Sequence, residues 1–433
     1  MSSIEKLERY PSTRFAVRAL LVIICALTLV LPVFLRPRFN LLYGFEAYFH
    51  LGHGSVSYIL SFFSYVFRLD VFLVAKVLPI LLGVFSLLLF FSILKNLGFR
   101  YWIVILSSLL LIFSPSFVFL FSTLTDFGFV AFLLLFAFYL LLNKKNIPAL
   151  AMFYLVAFFG LFNLVLALFL LLFYSFKVKR FRLFLYALPS LIILLFFPAE
   201  NLFSFGSFVS DFGGPFGLGV FLMILSFFGL KFFWKDKYVY LYLYLSMILL
   251  IVFSFFNLRA LSYLNFILVL LSALGLEVLF ERHWRSKSIK YLTLLIMILG
   301  LFISSFSYMS WVINGLPNRD VVDGLYALRD LPEGAVFSHV SREYWIDFAK
   351  KPFVANNALL YTRDIERATN LIKSGGISYV WVDEDMRSRV WVEEDQDLLF
   401  LLKYSESFEL VYSNDYVGIW KFNKRPLEES GIF

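Results

Sequence analysis

The stretch K144-K-N-I-P-A-L-A-M-F-Y-L-V-A-F-F-G-L-F-N-L-V-L-A-L-F-L-L-L-F-Y-S-F-K-V-K-R-F-R182 decides how this chain is threaded. Its apolar centre, Pro148–Phe176, lies between Lys144 and Lys145 on one side and Lys177, Lys179, Arg180 and Arg182 on the other. One long helix would leave the two basic clusters on opposite sides of a membrane. Two short helices turning near Gly160–Asn163 bring both clusters back to one side. Cytoplasmic loops collect Lys and Arg, and only the paired reading gathers them consistently. It puts the N-terminus (Lys6, Arg9, Arg14, Arg18), Lys95 and Arg100, both clusters, Lys231, Lys235 and Lys237, and Arg282–Lys290 on one face. That is 19 of the 24 basic residues before residue 311. Arg36, Arg38, Arg68 and Arg259 fall on the other face, and Lys76 lies within a span.

The remaining apolar runs are Phe15–Leu35, Val71–Leu94, Trp102–Phe121, Phe127–Leu142, Leu183–Pro198, Phe216–Leu230, Tyr238–Phe256, Ala260–Phe280 and Tyr291–Ser310. Most approach the roughly 20 residues that a spanning helix needs. With the pair, the expectation is a polytopic α-helical membrane protein of about eleven spans, N-terminus cytoplasmic and C-terminus extracytoplasmic. Composition agrees: 61% of the 433 residues are hydrophobic, 16% are charged, and 57 are Phe. The first run has no small-residue cleavage site after it and reads as a retained anchor.

The net charge of +8 does not point to nucleic acid. Residues 1–310 carry 24 Lys+Arg against 10 Asp+Glu, whereas residues 311–433 carry 14 against 20. Basic loops beside an anionic leaflet account for the first figure, which makes membrane lipid the partner. The one cysteine, Cys25, sits inside the first apolar run, so no intrachain disulfide, CxxC pair or thiol catalysis is available. No phosphate-binding glycine motif is present.

From about Trp311 charges become frequent and strands alternate with helices, giving two domains, 1–310 in the membrane and 311–433 as a small extracytoplasmic α/β domain. Ala335–His339, Phe353–Ala355 and Ile377–Val382 read as strands. Arg363–Ser374 reads as a helix stopped by Gly375-Gly376, and Glu409–Phe422 as a hairpin turning at Asn414-Asp415.

Acids at membrane ends are costly and therefore functional candidates. The outer face collects Glu46, Asp70, Asp126, Glu200 and Asp211. Glu46, Tyr48 and His50 alternate in G44-F-E-A-Y-F-H50, within an aromatic first loop lying along the interface. Asp126 ends S122-T-L-T-D126, where it serves either as chemistry or as an N-cap for the next helix. Glu200 and Asp211 bracket the following external loop, where a turn and helix start would also explain them. Arg259 opens its span among Asn257, Tyr263 and Asn265, as a snorkelling cation or one facing a lipid phosphate. His50 and His53 could share a metal or be polar tips. Carboxylates, a cation and an interfacial loop on one face are the parts that glycosyl transfer from a lipid phosphate requires.

These residues resemble the GT-C superfamily of membrane glycosyltransferases, and most of all prokaryotic proteins like the oligosaccharyltransferase catalytic subunit. G44-F-E-A-Y-F-H50 is similar to the family's first-loop pattern, with Glu46 where the catalytic aspartate stands and with Tyr48 and His50 beside the donor phosphate. F113-S-P-S-F117 leading to Asp126 resembles the segment ending in the family's Asp-x-Asp, with Leu124 in place of the first aspartate. Glu200 resembles the glutamate near the family's metal, and Arg259 the arginine on the donor phosphate. The resemblance implies a polyprenyl-phosphate-linked sugar donor, a glycan or protein acceptor, and a divalent cation (Mg2+ or Mn2+) held by Asp126 with Glu200, or with Asp211 as the alternative. The family's W-W-D-Y-G motif is replaced by His339-Val340-Ser341-Arg342-Glu343, which implies no sequon recognition of that type. A non-catalytic scaffold of the same fold and a lipid-linked glycan transporter are the competing readings. The transporter would carry paired midplane charges and repeat symmetry, neither of which the sequence has.

Overall fold

The structure is a computed structural model and describes residues 11–35, 55–69, 71–122, 125–193, 218–234, 240–257, 259–313, 319–391, 393 and 395–423. The described residues divide into two compact units, 11–313 and 319–423. The first is helical: α1 (Pro11–Leu35), α2 (Ser55–Phe67), α3 (Val71–Asn96), α4 (Tyr101–Ile112), α5 (Pro115–Ser122), α6 (Asp126–Leu142), α7 (Asn146–Val156), α8 (Leu161–Val178), α9 (Arg182–Ala187), α10 (Ser190–Ile193), α11 (Val220–Trp234), α12 (Leu241–Phe256), α13 (Arg259–Glu281) and α14 (Lys287–Ile313).

Among the described residues, α1, α3, α13 and α14 are each long and apolar enough to cross a membrane, and α4 with α5 makes a fifth such span, bent by 63°. The other apolar helices are shorter, 10–17 residues. Trp102–Phe121, read as one run from the sequence, is therefore broken. Phe113 ends α4, and Pro115 opens α5, because proline lacks the N–H that would continue the helix.

The decisive stretch divides at its glycine. A 3-10 turn, Ala157–Phe159, leads to Gly160 at φ 100°, a backbone position that favours glycine, and α8 starts at the next residue. The Tyr174 hydroxyl, near the end of α8, donates to the Leu141 carbonyl at 3.1 Å. Phe138 packs edge-on against both Phe153 of α7 and Tyr174 of α8. Leu141 lies just before Lys144 and Tyr174 just before Lys177, so the two basic clusters occupy the same end of this helix pair.

Helices α11 and α13 pack backbone against backbone. A Cβ on Gly229 would run into the Leu271 carbonyl, and one on Gly275 into the Leu225 carbonyl. Each glycine thus faces the other helix four residues beyond its partner's carbonyl, and small residues let the backbones touch where lipid removes the hydrophobic drive for helices to associate.

The second unit contains α15 (Arg319–Asp330), β1 (Ala335–Phe337), α16 (Glu343–Phe348), β2 (Phe353–Val354), α17 (Asn357–Leu360), α18 (Ile365–Ser374), β3 (Ile377–Asp383), α19 (Glu384–Val390), α20 (Asp397–Tyr404), β4 (Phe408–Ser413) and β5 (Val417–Phe422). The sheet order is β2-β1-β3-β5-β4, with β1 parallel to β2 and β3, and β5 antiparallel to both β3 and β4. One face carries Phe337, Val380 and Val382 into a core with Ile372, Leu398 and Leu402. The other carries Trp381 and Val417 against Gly324 of α15, where a side chain would sit 3.0–3.1 Å from both. Both faces are covered, which explains the apolar run Ile377–Val382. The expected strands, helix and hairpin all appear. Asp364 caps α18 by accepting from the N–H groups of Glu366 and Arg367, and the edge strand β4 slips register between Leu410 and Tyr412, a device that blunts edge pairing.

Candidate functional site

Asp126 and Arg259 are the two proposed site residues within the described part of the membrane unit. Glu46, Tyr48, His50, Glu200 and Asp211 lie outside the described residues, as do Asp70, His53 and Leu124. Asp126 is the first residue of α6, part-buried, and the cap is its neighbour: the Thr125 hydroxyl accepts from the Gly128 N–H at 3.3 Å. The N-cap explanation for Asp126 is therefore replaced by a first-turn position, where a carboxylate is favoured by the helix dipole. Gly128 makes the turn possible, since a Cβ there would lie 2.5 Å from the Leu120 carbonyl of α5.

Arg259 is the first residue of α13. Asn257 ends α12 with its N–H on Phe253 and lends its carbonyl to the Ala260 N–H at 3.1 Å.

Two polar contacts set how α4–α5 lies on α13. Arg100, just before α4, pairs with Glu277 near the end of α13 at 3.2 Å. Asn265 in the first half of α13 donates to the Ser114 hydroxyl, between α4 and α5, at 2.8 Å. The segments therefore run antiparallel, fourteen residues on one matching twelve on the other. The break at Ser114 therefore faces the half of α13 that begins at Arg259. Tyr263 ties the same stretch of α13 to α8, donating to the Asn163 amide oxygen at 2.9 Å. Tyr263 and Asn265, neighbours of Arg259 in sequence, are thus bonded to other helices.

Glu277 escaped the sequence reading, although one acid inside the run Ala260–Phe280 is a signal that can be read directly. Its side chain is 11% exposed and its partner Arg100 73%. It lies near the end of α13 opposite to the one that Arg259 begins. Asn265 stood beside Arg259 in the sequence reading and Ser114 inside F113-S-P-S-F117, but the two are 151 residues apart and no local pattern joins them.

In the second unit, the segment His339–Glu343 leaves β1 and enters α16. Arg342 is buried and grips Asp383 with two bonds, Nε to Oδ2 at 2.7 Å and NH2 to Oδ1 at 2.9 Å. Asp383 is fully buried. It also accepts from the Trp381 indole at 3.1 Å and from the Met386 N–H at 2.8 Å, which caps α19. The Arg342 guanidinium lies 4.5 Å from the Trp345 ring centre. Val340 of the same segment is exposed.

No group of three or more ligating side chains occurs among the described residues. Asp126 is the one member of the expected metal set that lies within them.

No family model and no curated protein matches the sequence. Solved structures do. The chain is similar to the oligosaccharyltransferase of Archaeoglobus fulgidus tethered to an acceptor peptide with an NVT sequon, at TM-score 0.55 and 15% identity, covering 94% of this chain and 74% of that one. The same archaeal protein in complex with Zn and sulfate gives TM-score 0.55 and 15% identity over 93% and 73%. AglB of that organism, in complex with an inhibitory peptide and a dolichol-phosphate, gives 0.56 and 14% over 95% and 74%.

Proposed function

We propose that the chain is a glycosyltransferase that moves a sugar from a polyprenyl-phosphate-linked donor to a glycan or protein acceptor at the extracytoplasmic face of a cell membrane. In this reading the membrane unit spans about eleven times, with the N-terminus cytoplasmic and the C-terminal unit outside. One observation supports it most: α4 lies antiparallel on α13, with Arg100 on Glu277 and Ser114 on Asn265, so the break that leads to α5 faces the half of α13 that Arg259 begins. The archaeal structures of like fold bind dolichol-phosphate and acceptor peptide, which matches the same donor and acceptor chemistry.

In the proposed reaction the acceptor nucleophile attacks the sugar C1 as the C1–O bond to phosphate breaks. Glu46 takes or orients the acceptor proton. Arg259, with Tyr48 and His50, holds the donor phosphate and stabilises the charge it gains on leaving. A divalent cation, Mg2+ or Mn2+, held by Asp126 and Glu200 or Asp211, would neutralise the same phosphate. The acceptor is not an N-x-[ST] peptide recognised through W-W-D. Supporting this, the corresponding segment turns Arg342 inward onto Asp383 and leaves Val340 exposed.

The test is transfer by the purified protein in lipid, with a polyprenyl-phosphate-linked sugar. Glu46→Gln should cost about 10²–10⁴-fold in turnover, the usual size of an acid–base contribution, and Asp126→Asn should lower turnover and make it less responsive to added Mg2+ or Mn2+. Equal turnover in both variants would remove these acids from the reaction and favour a scaffold. Transfer to a sequon peptide would refute the acceptor assignment.

A further inference from the structure

We propose that Asn265 and Ser114 are positioning residues, whose hydrogen bond fixes the broken span so that Asp126 stays in register with Arg259. The proposal rests on the functional reading above for its consequence in catalysis, but its geometric content stands separately.

The break at Ser114 is held by few groups. The Ser114 carbonyl accepts from the N–H groups of Phe117 and Val118, both at 3.1 Å, and so belongs to α5. Its hydroxyl donates back to Leu111 of α4 at 2.9 Å. With its proton committed there, the hydroxyl oxygen is free to accept, and Asn265 donates to it from the facing helix. Ser114 and Asn265 are 3% and 1% exposed, so water does not compete. The Asn265 amide oxygen is buried without a partner, leaving the bond to Ser114 as the amide's tie across the helices. A cavity of about 10 Å³ remains beside it, lined by Phe113, Ser114, Pro115, Gly219 and Ser304.

The leverage is large. Helix α5 has eight residues, about 12 Å at 1.5 Å per residue, so a swing of roughly 10° at the break moves its far end by about 2 Å. Asp126 opens α6 four residues after that end. Misplacement of a reacting group by about 1 Å can cost on the order of 10²-fold in rate.

The experiment measures electron-spin distances between nitroxides at Asp126→Cys and Arg259→Cys in a Cys25→Ser chain in lipid nanodiscs. Asn265→Ala and Ser114→Ala, which cut the bond from opposite sides, should each broaden a narrow distribution. Ser114→Thr, which keeps the hydroxyl, should restore it. Ser272→Ala removes a comparable buried bond from the same helix, to Leu222 of α11, and should leave the distribution narrow. Unchanged distributions in both alanine variants overturn the proposal, as does equal broadening by Ser272→Ala. In unlabelled protein, the two bond-cutting variants should lower kcat about 10–100-fold with little change in KM for the lipid donor. Broadening together with no transfer by the wild-type chain would defeat the functional reading and leave the positioning role standing.

Discussion

The two units bury polar groups in opposite ways. In the membrane unit, cohesion comes from backbones brought close by Gly229 and Gly275, and polar side chains reach across helices as isolated bonds: Ser114–Asn265, Tyr263–Asn163, Ser272–Leu222. In the C-terminal unit, a sheet covered on both faces supplies the cohesion, and the buried charges of Arg342 and Asp383 are satisfied by four bonds in one place. Lipid offers helices no hydrophobic gain for meeting, so shape decides; water does offer it, so a dense polar cluster can be afforded inside a core that is already driven together.

The sharpest way to break this contrast is Gly275→Leu. Its side chain would occupy the place of the Leu225 carbonyl, so α11 and α13 must separate. Monodisperse protein in detergent should be lost altogether, and a well-folded Gly275→Leu chain would show that the close approach does not hold the unit.

Next in size is Asp383→Asn. It strands a buried arginine and weakens the cap of α19, and breaking a buried pair from one side costs about 3–5 kcal/mol. Limited proteolysis of the full chain should then cut within residues 315–423 while the membrane helices remain protected. Protection equal to wild type would make the pair dispensable.

Ser272→Ala should cost less. Its hydroxyl lies at 2.7 Å from both the Leu222 and Leu268 carbonyls, yet such bonds in membranes average about 0.6 kcal/mol. Thermal unfolding in nanodiscs should shift only slightly. A loss comparable to that of Asp383→Asn would erase the distinction between the units.

The smallest effect belongs to the exposed Asp395–Lys403 pair, 2.8 Å apart. The hydrogen bond from Lys403 holds the Asp395 carboxyl below its usual pKa, with Tyr404 and Arg363 adding to the effect. The same bond raises the Lys403 ammonium. The stability from Asp395 is present above the ordinary carboxylate range and lost as pH falls through its lowered pKa. That from Lys403 is present below the ordinary amine range and lost as pH rises through its raised pKa. Both are in place at neutral pH. Lys403→Met should return the Asp395 titration, followed by carboxyl NMR shifts, toward its ordinary position, and an unmoved titration would contradict the pairing.

Much of this architecture could be read from residues. Charge on either side of Pro148–Phe176 was enough to place a turn at Gly160, because positive φ and the same-side clusters make one physical statement. The strands and hairpin of the C-terminal unit followed from short β-branched runs between turn residues. The bend at Ser114–Pro115 did not emerge, since an apolar run has the same composition whether straight or broken. Asp126 was located correctly at a helix start, but its role as cap was ambiguous until Thr125 was seen to accept the bond. Arg342–Asp383 was invisible for a different reason: the partners are 41 residues apart, and no local pattern joins them.

The central claim is that the end of the membrane unit carrying Asp126 and Arg259 receives a lipid-linked phosphate. It is tested most directly by the affinity of the nanodisc-embedded chain for a polyprenyl phosphate, measured for wild type and Arg259→Ala by native mass spectrometry. A charge-assisted bond contributes about 1.5–3 kcal/mol, so Arg259→Ala should weaken binding by about 10–100-fold, while Lys403→Met in the other unit changes nothing. Identical affinity for wild type and Arg259→Ala would contradict the account.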